Sequence, residues 1–564
     1  MIVIKDIKAF IEECEARVSD GSTEHECYKR RCRQIARFHA PAMGKYVLRE
    51  YNDRNRDYDS VLDFSRIINN TPMQAPLRFV QGYTSNAMSA NSPWFQQTPQ
   101  GALEDDKQMQ STAFETTKIL RRILSASNAY SALEMLVAHG SIFGAGLMYI
   151  MPDFDNIINC TNAAVGSFQL RSDADGKICG AYRELTMTVR QMVNKFGLEN
   201  CSDEVKRKYD DKNQRNTSIR IMHICEKFDK AFMEHTGNKQ QPYFSAYYEC
   251  QRGKEEDKLL DFQEHNHTPF VVFRVNVFDD EAYGAGLAYY ALPDAKALYT
   301  LELSMAHVAS KAAHSDLLVD NSLKGHLKGL PNQIIYAPLT QQGQAPVVPL
   351  PTITAQSLPA LREQIADHKM RIEQAFYNDI LLMIANGNQK NVTATAIDEQ
   401  REEKLLMLGT IHERGNHETM TPFLRIIHEI ALQKRVVPPL PGGVRPDSMD
   451  IEYTSKLAQA LQLHDLTKIE RLMGFTGNMA ATDPAILDKI DRDEALEDYA
   501  KALNANPDII ISKEDVMKAR NARQQQQQSQ QMIEQAPGIA NAAKLLSETD
   551  ARNNDSLLAG LTGG

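Results

Sequence analysis

No excess of positive charge runs through this sequence. It has 63 lysines and arginines against 73 acidic residues, a net charge of −10 over 564 residues. A protein that wraps DNA by neutralising phosphates reads basic. Any contact with nucleic acid must therefore be local or weak. No apolar run is long enough to cross a membrane either. The longest, residues 133–151, is broken by Glu134, His139 and several glycines. No basic start leads into an apolar stretch of the secretory kind, so none is expected. No CxxC pair occurs. The 8 cysteines all lie between Cys14 and Cys250, and they read as reduced thiols of a cytosolic protein without zinc.

Nucleotide and hydrolase motifs are missing too. There is no GxxxxGK[ST] loop and no GxSxG serine. Gly144-Ala145-Gly146 and Gly284-Ala285-Gly286 each lack the third glycine of a dinucleotide fingerprint, and read as turn and packing glycines. His412 and His417 flank a zincin-like stretch, but they stand five apart rather than four. On a helix that puts them about 140° apart. Carboxylate pairs such as Glu402-Glu403 and Asp279-Asp280 read as solvated faces. The expectation is a protein with no catalytic residue, no cofactor and no bound metal.

What is present supports a large folded core. Hydrophobic residues are 42% and charged residues 24%. At about 150 residues per domain, three or four structural units are expected. The fold class reads as α+β, predominantly helical. Residues 1–150 look mostly helical, with a loop at 97–110 and one long helical period over 112–139. Lys29, Arg30, Arg31, Arg33 and Arg37 make residues 24–40 basic, either as a solvated helix face or as a subunit interface. A β-rich block follows at 167–277. It begins with a hairpin turning at Asp175-Gly176. It includes a short helix stopped by Gly197, and strands at 218–228, 243–251, 258–263 and 269–277, the last of which closes the sheet.

Residues 284–385 change character. Leu298, Leu301, Met305, Val308 and Ala312 step by threes and fours along one helix. Its flanks are small residues, including Ala295, Ser304, Ala306, Ala309 and Ser310, which allow close helix approach. A second helix, about 40 Å long over 358–383, carries Leu361, Ile365, Ile372, Phe376, Ile380 and Met383 on one stripe. Between them lies a Pro/Gly-rich stretch with strand candidates at 334–336 and 347–348. No acidic residue occurs between Asp320 and Glu363, while Lys324 and Lys328 do. A polar loop at 385–392 precedes a long helix over 394–434, with Thr393 or Thr395 as its cap. Gly409, Gly415 and Pro422 predict a bend in it. Pro438-Pro439 through Gly443 marks the expected domain boundary. Beyond it, Thr482 before Asp483-Pro484 and Ser512 before Asp515 open further polar helices. The glutamines of 524–531 continue the second or leave it disordered.

Three stretches together resemble one family. The first is DADGK at 173–177 with YRELTMTVRQMVNKFG at 182–197. The second runs from Pro269 through Tyr283-Gly284 into ALPDAKAL at 291–298. The third is TATAIDEQREEKL at 393–405, then Leu408-Gly409 and Thr421-Pro422. Over about residues 20–440 their order and spacing resemble the head-to-tail connector, or portal, proteins of short-tailed bacteriophages. The resemblance implies a ring, usually of twelve subunits, at one capsid vertex. Double-stranded DNA is packaged and ejected through its channel. It implies a wing at 1–283, a first stem helix at 284–318, a clip at 319–357 and a second stem helix at 358–384. A tunnel loop at 385–393 and a bent wing helix at 394–442 follow. A crown at 443–520 and a barrel or tail at 521–564 complete the subunit.

Within that frame Asn388, Gln389, Lys390 and Asn391 would face DNA in the channel. Lys324, Lys328 and Tyr336 would form the clip's docking surface. Leu301, Met305, Val308, Ile365, Ile372 and Phe376 would pack the stem. Implied partners are other copies of the chain, the terminase packaging motor, and tail adaptor and tail tube proteins. Major capsid, scaffolding and internal core or ejection proteins complete them, with no membrane. Localisation would be the portal vertex of the virion, after assembly in the host cytoplasm. The rival reading is a capsid-associated scaffolding or structural assembly protein without a DNA channel. The β-rich block argues against that rival, because scaffolds are usually helical and of low complexity. The acidic total suits a conduit, since each neutralised phosphate adds affinity and would brake sliding DNA.

Overall fold

A computed structural model describes residues 4–48, 68–100, 107–235, 241–250, 259–279, 281–313, 317–319, 347–349, 357–381, 407–439, 441, 449–455, 457–458, 473–477, 479 and 516–523. The chain is mixed α and β. It divides into two compact units, Met1–Leu461 and Gln462–Gly564. In the second unit, residues 473–477 and 516–523 are helical. The latter lies just after the Ser512 capping pattern, whose own residues are outside the described ones.

In the first unit the N-terminal helices are α1 (Ile7–Asp20), α2 (Ser22–Phe38), α3 (Lys45–Leu48) and α4 (Thr71–Ala87). Strand β1 (Phe95–Pro99) and helices α5 (Lys107–Ala126) and α6 (Ala129–Phe143) follow. The long period over 112–139 therefore breaks into two helices. Asn128 causes the break. Its side chain donates to the Cys160 carbonyl at 2.8 Å and accepts from the Cys160 N–H at 2.9 Å. That amide bonds as one more strand residue would, while the Asn128 carbonyl accepts from the Ala132 N–H at 3.0 Å and opens α6. Helix α6 leaves only Ser131, Glu134 and Met135 exposed and is buried from Leu136 to Phe143. It lies against α4 and strands β2 (Ala145–Asp153), β3 (Ile157–Asn162) and β9 (Phe270–Arg274).

The β-rich block forms two antiparallel sheets. One has five strands: β4 (Phe168–Ser172), β5 (Ile178–Thr188), β6 (Ser218–Lys227), β7 (Tyr243–Glu249) and β8 (Leu259–His265). Strand residues alternate between two faces. Phe244, Ala246 and Tyr248 pack with Phe10 and Ile11 of α1 and Phe232 of α9 (Lys230–His235). Tyr247 faces Val189, Met192 and Phe196 of α7 (Val189–Phe196) instead. The short helix α8 (Asp203–Asp210) follows α7, and its cap Ser202 donates to Glu249 at 2.7 Å. The hairpin at 173–176 and the helix stopped at Gly197 appear as the sequence predicts.

Strand β9 departs from the expectation that residues 269–277 close that sheet. It pairs with β2 in a three-stranded sheet ordered β3-β2-β9. All five of its residues are buried, so it needs cover on both faces. In the three-stranded sheet both α6 and the helix over residues 407–433 pack on it.

The later segments also differ from their one-dimensional pattern. Strand β12 (Met449–Tyr453) pairs along its length with β1. The expected loop at 97–110 therefore begins as strand and ends as helix. The expected boundary at Pro438–Gly443 falls inside the first unit, because the chain returns through β12 and leaves only after Leu461. The helix expected over 358–383 is continuous only as α11 (Ser357–Ala375). It stops at Phe376-Tyr377, where Tyr377 takes a left-handed φ of 52°. That residue re-aims the chain so that Phe376, Ile380 and Leu381 all reach the core.

Candidate functional site

Helix α10 (Leu287–Ala313) and α11 pack against each other, and their sequence neighbours β10 (Leu317–Val319) and β11 (Val347–Pro349) pair antiparallel. A hydrogen bond between His368 Nδ1 and Asp294 at 2.8 Å and an ion pair between Lys369 Nζ and Glu302 at 3.3 Å join the helices. The stripe is graded. Ala291, Ala295 and Leu298 are buried, Leu301 and Met305 are half-buried against the core, and Val308 is half-buried without packing on it. On the other helix Ile365, Ile372 and Phe376 are buried. So Ile372, Phe376 and Leu298 already pack within one chain. Ser304, Ala306, Ala309 and Ser310 stay exposed. Asn388, Gln389, Lys390, Asn391, Lys324, Lys328 and Tyr336 lie outside the described residues, as does the 334–336 strand candidate.

The base of α10 is held by backbone-to-backbone contact. A Cβ on Gly144 would stand 1.9 Å from the Gly284 carbonyl oxygen, and one on Gly286 would stand 2.3 Å from the Ile142 carbonyl oxygen. The two Gly-Ala-Gly stretches are thus one clasp. It ties the end of α6 to the start of α10.

Arg274 supports the clasp from beneath. It is only 2% exposed. It donates from Nε and NH2 to the two Glu418 carboxylate oxygens, both at 2.8 Å. It also donates to the carbonyls of Ala282 at 3.2 Å and Gly176 at 3.2 Å. One side chain therefore joins β9, the loop before α10, the β4–β5 turn and the helix over residues 407–433. A two-pronged guanidinium fits this role, and an ammonium would not.

Glu418 sits on a π turn, Asn416–Met420, between helical residues 407–415 and α12 (Thr421–Gln433). Pro422 explains the turn. It has no N–H, and its ring crowds the carbonyl four residues back, so the ladder widens by one residue. Thr421 N–H bonds the Asn416 carbonyl, five residues back. Thr419 Oγ1 donates to the Val272 carbonyl of β9 at 2.7 Å. Replacing Arg274 by methionine should lower stability by about 3 kcal/mol, as for other broken buried pairs. A fall of several degrees in the thermal midpoint checks it; an unchanged midpoint refutes it.

The zincin-like histidines do not converge. His412 is buried with Nδ1 3.3 Å from the Tyr83 hydroxyl, while His417 faces solvent. Nor is the basic helix α2 uniform. Lys29 pairs with Glu26 at 2.5 Å and Arg31 lies 3.7 Å from Glu281. Arg30 and Arg37 are exposed and, among the described residues, have no carboxylate partner.

Sequence reasoning missed the Arg274 hub. Its signal was a lone arginine closing an otherwise apolar strand, Phe270 to Arg274. It found both Gly-Ala-Gly stretches, but not that each is the other's partner.

The chain is 29% identical over 500 residues to the portal protein of Salmonella phage epsilon15, covering 88% of this chain and 89% of that one. It is 27% identical over 537 residues to the probable portal protein of Bordetella phage BPP-1, covering 94% of each. The family model for the bacteriophage head to tail connecting protein matches residues 12–511. A match over that span shows that the chain belongs to the bacteriophage head to tail connecting protein family.

Proposed function

We propose that this chain is the subunit of a portal ring. The ring would sit at one capsid vertex, carry the genome DNA in and out, and bind the packaging motor and the tail. The observation that carries the reading is the family match across residues 12–511. The helix pair α10 and α11, with a strand pair beyond it, supports a stem and clip. Residues 1–283 and the helix through α12 would then be the wing, 319–357 the clip, and 385–393 the channel-facing loop. Residues 443–520 would then be the crown and 521–564 the barrel or tail. The role is structural, within the virion, with no catalytic step. Capsid and tail proteins are the partners that the family implies.

In this reading the exposed Ser304, Ala306, Ala309 and Ser310 meet the next copy, since small side chains let helices approach closely. Electron micrographs of the purified protein should show rings with a central hole. Monomers or filaments would end the portal reading. Lys390 is the one cation of the polar loop at 385–392. Lys390→Ala should change DNA packaging or retention and leave ring assembly intact. Unchanged packaging and retention would remove Lys390 from the channel.

A further inference from the structure

One exposed corner lies apart from the stem, clip and channel. Strand β2 ends at Asp153 and β3 begins at Ile157. On the turn between them Phe154 is 97% exposed. The turn itself is firmly held. Asp153 Oδ2 accepts from the Asn156 N–H at 3.0 Å, and the Ile158 N–H donates to the Asn156 carbonyl at 2.7 Å. Lys434 donates to the Asp153 carbonyl. Ile157, between these bonds, has a φ of 68°, which a β-branched residue rarely adopts. Such strain persists only where the surroundings over-determine it. A large apolar side chain is thus displayed on a rigid tip, and a rigid tip loses little freedom on docking.

Beside this knob is a hole. A cavity of about 180 Å³ opens between the end of β2, residues 263–269 and α12. Met151, Pro152, Ile426 and Ile430 give it apolar walls. It is smaller than the usual site for a drug-sized ligand or cofactor, and suits one large side chain. Pro152 lines it and Phe154 follows two residues later, at most about 7 Å along the chain. The surround is acidic. Asp153 and Asp155 flank Phe154. Glu429 on the rim holds Asn266 Nδ2 at 2.5 Å and stands 3.7 Å from His267. Lys434 is already engaged with the Asp153 carbonyl.

We propose that this corner docks a different virion protein. Its docking segment carries one large apolar residue between lysines or arginines. The apolar side chain fills the cavity, the cations meet Asp153 and Asp155, and Phe154 enters the partner. DNA is excluded because the carboxylates repel phosphate. For a second copy, the geometry rests on the ring proposed above. What is excluded is the mutual exchange: knob and hole lie side by side, so two copies exchange them only about a two-fold axis. A closed ring of more than two subunits has no such axis relating neighbours.

The test places the photo-reactive p-benzoylphenylalanine at Phe154 of the full chain and irradiates assembled particles. The expected product is an adduct to a different protein, at a segment with an apolar residue flanked by lysine or arginine. Its yield should fall at least fivefold when Asp155→Lys is added, a surface change that spares folding. An adduct between copies of this chain overturns the proposal. So does no adduct, an adduct at a segment of other chemistry, or one indifferent to Asp155→Lys. Micrographs of the same preparation separate the two readings. Rings without the adduct refute the docking alone, whereas absence of rings removes both.

Discussion

Gly144→Ala is expected to abolish the native protein. Gly144 has a φ of 107°, where an L side chain is strained. Strain alone costs on the order of 1–2 kcal/mol. The added Cβ would also fall 1.9 Å from the Gly284 carbonyl oxygen. That obstacle is backbone, so no rotamer change relieves it. The loop entering α10 would have to retreat by more than an ångström, and that loop is pinned by Arg274 and by the Asn276–Ala285 bridge. Overpacking of mobile side chains costs about 1–3 kcal/mol, and rigid backbone costs more. The total approaches the whole stability of an ordinary domain, roughly 5–15 kcal/mol. Gly176→Ala is the matched control. Its φ is 73°, but a Cβ there meets nothing within 4 Å. It should lose about 1 kcal/mol and still assemble. Soluble yield and ring formation read both variants. Gly144→Ala rings at ordinary yield would show that the clasp is not a fixed contact.

Local signals in the sequence were the most legible part of this fold. The Asp175-Gly176 turn and the Gly197 stop act within a few residues, so one stretch of sequence contains their whole cause. Partnership at a distance was not legible. Nothing in residues 95–99 says that 449–453 will pair with them, because pairing register is set by the rest of the core. The break at Asn128 depends on Cys160, and the π turn at 416–420 depends on Val272 and Tyr453 as well as on Pro422. The stem stripe was visible as a pattern of threes and fours. Which part of it meets this chain's own core, and which part stays open, is decided by elements hundreds of residues away. Portal function was legible only by resemblance, since no residue type in the chain marks a channel.

Acidification from pH 7 to pH 5 is the second large effect. Six histidines are at most 6% exposed: His25, His39, His139, His223, His412 and His428. Burial pushes their pKa values down, to about 4 for five of them and well below the ordinary value for His223. At His25 the neighbouring Lys29 adds to the effect. At His223 so does Arg183, whose Nε lies 2.9 Å from Nδ1 and fixes that nitrogen as an acceptor. Unfolded, each would titrate near 6.5. Between about 6.5 and about 4 the unfolded chain therefore binds more protons than the folded one. Stability must fall as pH falls through that window, by up to about 1.4 kcal/mol per pH unit for each histidine. Above 6.5 both states are neutral there and the slope vanishes. Six such groups acting together exhaust roughly 10 kcal/mol by pH 5, before the ordinary carboxylates protonate. Thermal midpoints measured between pH 7.5 and pH 5 should be flat at first and then drop steeply. His139 offers the sharpest single test. Its Nδ1 is buried with no hydrogen-bond partner, so His139→Leu leaves few bonds unmade. That variant should flatten the acid limb by the share of one histidine, and a midpoint independent of pH across the window would contradict the neutral, buried state of all six.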